Sequence, residues 1–255
     1  MSRFSCAITT FALWCSLAAP GAEAQVAAKN QAPDPAASLG IIKTFTAGPL
    51  DTNCYLVGCK ESREAAVIDA PQGVASSVIK AVQHDQLTVK MILITHSHWD
   101  HIADAAQLKE KLGVPLYINS FDKNNLEEPG SDGLPLFFSI DGVKPDHFFK
   151  QGDQLQIGHL QLEVIETPGH TPGGVCFWFA KEKVLFSGDT LFQGSMGNIS
   201  FPTSNPPDMW ESLKKLAKLP PETKVYPGHG PPTTIAKEAW IVRAQSIGMN
   251  RLLDG

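Results

Sequence analysis

No run of lysine or arginine occurs anywhere in the 255-residue sequence, whose 21 basic and 26 acidic residues leave a net charge of −5. A chain without a basic stretch has no electrostatic footprint for a nucleic acid or an anionic membrane surface, so neither is expected as a partner. Long hydrophobic runs are missing too. The apolar stretch Ala7 to Ala19 is too short to span roughly 30 Å of hydrocarbon. Cysteine is scarce, with five in all, and Cys6 and Cys15 fall inside that N-terminal stretch or beside it. The other three, Cys54, Cys59 and Cys176, do not make a disulfide framework and read as structural. Charged residues amount to 18% against 43% hydrophobic, which excludes disorder and allows a sizeable core.

The N-terminal segment has the pattern of a secretory signal. Arg3 gives a positive start, the apolar run follows, and Ala22-Glu23-Ala24 offers a small-x-small cleavage site. Residues 1–24 are therefore expected to be removed, leaving a periplasmic or secreted protein with no membrane attachment. Trp14 precedes Cys15 where a lipoprotein site needs a small residue, which argues against lipid anchoring. Residues 25–40, rich in Ala, Pro, Gln and Asn, read as a flexible linker, and residues 41–255 as the folded domain.

Within that domain, short β-branched or apolar runs separated by turn residues predict strands: "IIKTFTA", "NCYLVGC", "EAAVIDA" and "PLYIN" in the first half. "LQLEVIET", "GVCFWFA", "KVLFSGD" and "TKVYPG" follow in the second. "VKMILIT" is continuously apolar, as in a strand buried on both faces. Helices are expected where apolar residues recur at helical spacing, in "GVASSVIKAVQHD", "IADAAQLKEKLG", "PDMWESLKKLAKL" and a closing "TTIAKEAWIVRAQSI". Strands dominate each half and helices follow them. Two sheets packed face to face with helices outside fit this order. Residues 119–145 form a long polar connection, in which Phe137 and Phe138 read as core plugs or rim residues, with core slightly favoured.

Against this background one stretch stands out. "ITHSHWDHIADA" crowds three histidines and an aspartate between His96 and His101, at the end of the apolar strand. His96 and His98 are two apart, so in extended backbone their side chains point the same way and can grip one ion. Asp100 and His101 come as the chain turns into the helix and can face a second. Further ligand types stand at three later strand ends, each beside Gly or Pro: His170 in "TPGHTPGG", Asp189 in "FSGDTLF" and His229 in "YPGHGPP". Five of the eight histidines lie in these motifs. His84, His147 and His159 have polar or ordinary surroundings and read as surface or satisfied core residues. Asp69, ending "AAVID", reads equally as a carboxylate that orients a ligand and as a turn cap.

This ordered set resembles the metallo-β-lactamase superfamily over about residues 41–247. The resemblance implies a four-layer αββα sandwich. One metal would be held by His96, His98 and His170, the other by Asp100, His101 and His229, with Asp189 bridging them. Imidazole and carboxylate ligands suit two divalent ions, zinc first, with iron and manganese also accommodated. Water between two such ions loses a proton near neutral pH. The resulting hydroxide is expected to attack a carbonyl carbon of a small-molecule substrate, with Asp100 orienting it as a catalytic residue.

Within the superfamily, "THSHWDH" with "SGDTLFQGSMG" is similar to the glyoxalase II-like hydroxyacylglutathione hydrolases, which cleave thioesters. The chain ends at Gly255, soon after His229, so the short single-domain form without the added helical domain is expected. Asn198 stands where that family often has Arg or Lys used toward glutathione, which puts the natural thiol in question. The alternatives are a mononuclear-iron persulfide dioxygenase, which usually has a small residue at the position of Trp99, and a β-lactamase or lactonase on the same fold. In one large group of β-lactamases a cysteine replaces Asp189. Loops 119–145 and 193–207 are expected to form the rim, with Met196, Ile199 and Phe201 as candidate acyl-pocket residues beside the equal reading of a solvated loop.

Overall fold

The computed structural model describes residues 40–247; the expected signal segment and all but the last residue of the expected linker lie outside them. The described chain begins with a hairpin, β1 (Ile41–Ala47) and β2 (Thr52–Gly58), and continues through β3 (Glu64–Ile68), β4 (Thr88–Leu93), β5 (Leu116–Asn119) and β6 (His147–Phe149). These six make one sheet in sequence order. β1, β2 and β3 pair antiparallel, and β3 to β6 run parallel. The second sheet contains β7 (Gln154–Ile157), β8 (Leu160–Glu166), β9 (Val175–Phe179), β10 (Val184–Gly188), β11 (Lys224–Pro227) and β12 (Thr233–Thr234), again in sequence order.

Burial shows why these strands face each other. Tyr55, Val57, Ala66, Ile68 and Leu93 of the first sheet meet Leu162, Val164, Phe177, Phe179 and Phe186 of the second in one cluster. The opposite face of the first sheet, including Leu56, Val67 and Ile92, is covered by α1 (Ala75–His84) and α3 (Ala105–Leu112). The opposite face of the second, including Cys176, Leu185 and Val225, is covered by α5 (Pro206–Leu216). Four layers therefore stack as helices, sheet, sheet, helices, the expected αββα sandwich. α5 starts with proline, whose missing N–H costs nothing there, and ends with Lys214 and Lys215 against the negative end of the helix dipole. α3 stops at Gly113, which turns left-handed (φ 64°) and donates to Lys109 O.

Several expectations need correction. The helix after the histidine motif is broken: α2 (Trp99–Ile102) is one turn, and α3 begins only at Ala105. The break lets Ala70 and Asp104 exchange backbone bonds with this turn, since Ala70 N donates to His101 O and Asp104 N to Ala70 O. The expected closing helix is no single helix. Its first residues pair with β11 as β12, and a 3-10 turn (Ala239–Arg243) leads into the short α6 (Ala244–Ile247). β4 is buried on both faces only from Met91 to Leu93; Thr88 and Lys90 are exposed. β6 and β7, of three and four residues, are strands that their shortness hid. The 119–145 connection holds a 3-10 turn (Ser120–Asp122) and a short helix, α4 (Lys123–Glu127). Phe137 is 74% exposed and lies edge-on to Trp99, so it is a rim residue and not a core plug.

Among the described residues no helix is long and apolar enough to cross a membrane. Phe177, fully buried between the sheets, supplies the sharpest test of the packing. Phe177→Ala should destabilise the protein by about 3–5 kcal/mol, seen as a lower urea midpoint with an unchanged slope.

Candidate metal centre

β8, β10 and β11 run in the same direction, so their C-terminal ends share one edge of the second sheet. The loop after β8 carries His170, the turn after β10 carries Asp189, and that after β11 carries His229. The first sheet brings the end of β4 to the same edge. Val175 N donates to Thr95 O at 2.9 Å, and Asn53 N donates to Gly228 O at 2.8 Å. The Tyr55 hydroxyl donates to Pro227 O at 2.6 Å, and the Asn53 amide to Pro227 O and Gly230 O. The two sheets are thus tied together on both sides of the histidine motif.

All seven predicted side chains converge. His96, His98 and His170 form one group of ligand atoms lying within 4.8 Å of each other, and Asp100, His101 and His229 form another. His98 Nδ1 and His170 Nε2 approach to 2.8 Å. His229 Nε2 lies 3.2 Å from Asp100 Oδ2 and 3.3 Å from His101 Nε2. Asp189 reaches both groups: its Oδ2 is 3.3 Å from His170 Nε2 and 3.5 Å from His229 Nε2, and its Oδ1 is 3.3 Å from His101 Nε2. Glycines permit this density. A Cβ on Gly228 would overlap Asp189 Oδ1, and one on Gly197 would overlap the Asp189 carbonyl oxygen.

The far nitrogens of four imidazoles are held. His101 Nδ1 donates to Asp69 Oδ2 at 2.9 Å, His170 Nδ1 to Asn198 O at 2.7 Å and His229 Nδ1 to Leu50 O at 3.0 Å. His96 Nδ1 pairs with Thr95 Oγ1 at 3.1 Å. Such partners fix ring orientation and leave the inward nitrogen free to coordinate. His98 is the exception, for its Nε2 has no partner and the nearest carboxylate oxygen, on Asp132, is 4.0 Å away. Asp69 resolves in favour of orienting a ligand. It adopts a left-handed backbone (φ 61°), accepts from Thr95 N and Thr95 Oγ1, and holds His101. Thr52 went unnoticed in the sequence; its hydroxyl donates to Asp100 Oδ2 at 2.7 Å, a contact made across 48 residues.

The site's electrostatics call for positive charge. Burial, reinforced by neighbouring imidazoles, lowers the pKa of His96 and takes that of His98 down to about 3, so both stay neutral. Burial also opposes charge on His101 and His229. The carboxylates outweigh it, Asp100, Asp189 and Asp69 raising His101, and Asp100 with Asp189 raising His229 to about 9. Against the upward push of burial, His101 and His229 hold Asp100 down at about 2 and, with His170, hold Asp189 well below the usual carboxylate range. His96 Nε2 and Asp189 Oδ1 are buried and without a hydrogen-bond partner. Leaving such groups unpaired costs about 1–3 kcal/mol each. Orphaned donors, neutral imidazoles and carboxylates together fit divalent cations.

The rim divides. Phe201 lies edge-on to His98 and tilted against His170, with ring centroids 5.3 and 5.7 Å apart. Met196 and Ile199 turn away and pack beneath the loop against α5, so they do not line an acyl pocket. Trp99 is buried and meets Phe137 and Phe138 edge-on. Cys176, fully buried with its thiol pushed up to about 11 by burial, is no nucleophile. His84, His147 and His159 are exposed and lie outside the ligand groups.

A pH dependence of the metal-free protein follows. His229 is raised in the fold, so its contribution to stability is complete below the unfolded pKa of about 6.5 and is lost as pH rises through about 9. His98 is depressed, so its cost to stability appears as pH falls below about 6.5. The metal-free melting temperature should therefore peak near neutrality and decline on both sides; a monotonic profile between pH 5 and 9 would contradict this balance.

Comparison with known proteins gives the same reading. The chain is 38% identical over 193 residues to the hydroxyacylglutathione hydrolase GloC of Haemophilus influenzae, a match covering 73% of this chain and 89% of that protein. The crystal structure of the B3 metallo-β-lactamase BLEG-1 is similar with a TM-score of 0.72 at 36% identity, over 78% of this chain and 96% of that one. TTHA1623 in a di-iron-bound form gives 0.68 at 36% identity, over 77% and 96%. The profile described as Metallo-beta-lactamase superfamily matches residues 47–229, from the end of β1 to the last histidine of the centre. With fold, ligand order and profile in agreement, the chain belongs to the metallo-β-lactamase superfamily and is a metal-dependent hydrolase.

Proposed function

We propose that this protein is a binuclear metallohydrolase of glyoxalase II type that cleaves a thioester, with zinc as the expected metal. The observation that carries the reading is the position of Asp189, whose two carboxylate oxygens face both ligand groups. His96, His98 and His170 would hold one ion, and Asp100, His101 and His229 the other. Bound divalent ions would supply Lewis acidity, bringing the pKa of water down to about 7 and stabilising a developing oxyanion.

The chain's own residues define the rest. Thr52 holds Asp100 Oδ2, so the carboxylate is fixed while its other oxygen can accept a hydrogen from water and orient it. Six of the seven side chains are less than 10% exposed, whereas His229 is 24% exposed. Substrate therefore approaches from the His229 side, past Phe192 and Leu50. Phe201 closes the opposite flank over His98 and His170 and excludes water there. A thiolate leaves without a strong acid because its conjugate thiol has a pKa of about 8.5. This fits a centre that has no spare general acid among its seven ligands.

The identity of the thiol is a separate matter. The Asn198 side chain is uncharged and accepts from Ser200 N. A cavity of about 160 Å³ beside His98 is lined by Asp122 and Asp132 and by no lysine or arginine. Neither feature offers a cation to the carboxylates of glutathione. A β-lactamase is the second reading, favoured by the likeness to BLEG-1.

Three measurements check these assignments. Metal analysis should find two divalent ions per chain; one iron would favour the dioxygenase reading. Asp189→Ala should lose metal and activity together, by about 10²-fold or more in kcat/KM, and undiminished turnover would remove the bridging role. The substrate panel should comprise S-lactoylglutathione, an uncharged thioester, a lactone, a phosphodiester and a chromogenic cephalosporin. Thioesters should turn over fastest; hydrolysis of the cephalosporin alone would replace the thioesterase reading.

A further inference from the structure

His98 is the ligand candidate whose ring has no hydrogen bond on its far nitrogen, so something other than a ring partner must set its direction. The backbone does this. Ser97, immediately before it, is gripped on both sides: its N–H donates to Asp122 Oδ2 at 2.9 Å, and its carbonyl accepts from Asn125 Nδ2 at 2.6 Å. The second oxygen of Asp122 accepts from Gly173 N at 2.6 Å. Gly173 belongs to the loop that carries His170. One buried carboxylate, 3% exposed, therefore joins the backbone of the His98 segment to that of the His170 loop.

The closeness of this joint is visible in the glycine. A Cβ on Gly173 would come 2.5 Å from Asp122 Oδ1 and 2.6 Å from its Cγ, so a side chain there would force Asp122 away. Asn125 ties in the remaining strand of the rim, because its Oδ1 accepts from Gly130 N and its amide also donates to Asp132 Oδ2. The 3-10 turn and α4 that carry Asp122 and Asn125 thus act as a bracket outside the metal centre. None of these groups is among the seven converging ligands.

We propose that Asp122 is a positioning residue that sets the spacing of His98 and His170, and so tunes the cation site of His96, His98 and His170 in preference to the site of Asp100, His101 and His229. The selectivity follows from the contacts. The second group is oriented by Asp69, Thr52 and Leu50, none of which Asp122 touches. Asp122→Asn keeps the shape, but its amide presents N–H groups to one of the two backbone donors, so one link is lost.

The inference rests on the two-cation reading, and the experiment separates the two. Zinc is titrated into the metal-free full chain against a competing chelator, with His170→Ala and His229→Ala used to assign the two binding events. In Asp122→Asn, the event abolished by His170→Ala should weaken by about 10–100-fold, while the event abolished by His229→Ala stays close to wild type. Gly173→Ala, which displaces the intact carboxylate, should reproduce the pattern and serves if Asp122→Asn does not fold. Equal weakening of both events, or of neither, overturns the role given to Asp122. Fewer than two events in the wild-type chain overturns the binuclear reading and this inference with it.

Discussion

Burying four imidazoles and two carboxylates at one sheet edge, with a fifth imidazole half-buried beside them, is the constraint on which the rest of this structure depends. Removed from water, like groups repel and unlike groups trade protons. The outcome is uneven: His96 and His98 are kept neutral, while His101 and His229 are drawn toward the charged form by Asp100 and Asp189. Asp69 adds a further carboxylate against His101 from outside the cluster. The metal-free site thus gathers positive charge wherever it can, and protons on two histidines are a makeshift for cations that satisfy the inward lone pairs as well. Orphaned atoms such as His96 Nε2 and Asp189 Oδ1 show which groups the protons leave unsatisfied.

Such an arrangement cannot be held by one element. Its ligands come from the ends of β4, β8, β10 and β11, and their spacing depends on two sheets keeping a fixed distance. The inter-sheet cluster around Phe177 and Phe186 sets that distance in the middle of the sandwich. At the edge it is set by backbone bonds between sheets, Val175 to Thr95 on one side and Asn53 to Gly228 on the other. Tyr55 reinforces the latter with a hydroxyl directed at Pro227 O. Packing and chemistry are continuous here, because the strands that form the core end as the loops that carry the ligands.

The parts legible in the sequence are those with local causes. His96 and His98 could be read because alternation in an extended chain puts both on one side, and His170, Asp189 and His229 because Gly or Pro loops follow apolar strands. Other features depend on distant partners. Nothing near Asp122 or Asn125 reveals that they grip Ser97, and in a polar connection they look like ordinary solvated residues. Thr52 was hidden for the same reason. Thr233 and Thr234 lay in a helix-like stretch, yet the open edge of β11 recruits them as a strand. Met196 and Ile199 follow Asp189 closely enough to promise a substrate pocket, but α5 offers them a larger apolar surface on the other side.

The neighbours show why the fold alone does not choose the reaction. A B3 metallo-β-lactamase and a protein in a di-iron-bound form both superpose on this chain at 36% identity, with TM-scores of 0.72 and 0.68. Discrimination must then be exercised by what surrounds the metals. Here the surroundings are asymmetric: His229 is open to solvent, His98 and His170 are roofed by Phe201, and the cavity beyond His98 is acidic. An uncharged group can lie against Phe201 without losing solvation it needs. A carboxylate entering the acidic cavity beside His98 would be desolvated next to Asp132, a repulsion that low dielectric strengthens. The loops 119–145 and 193–207 that line these approaches also hold ligands, since Asp122 and Asn125 grip Ser97 and Asn198 O accepts from His170 Nδ1, so a change in either loop reaches the centre itself.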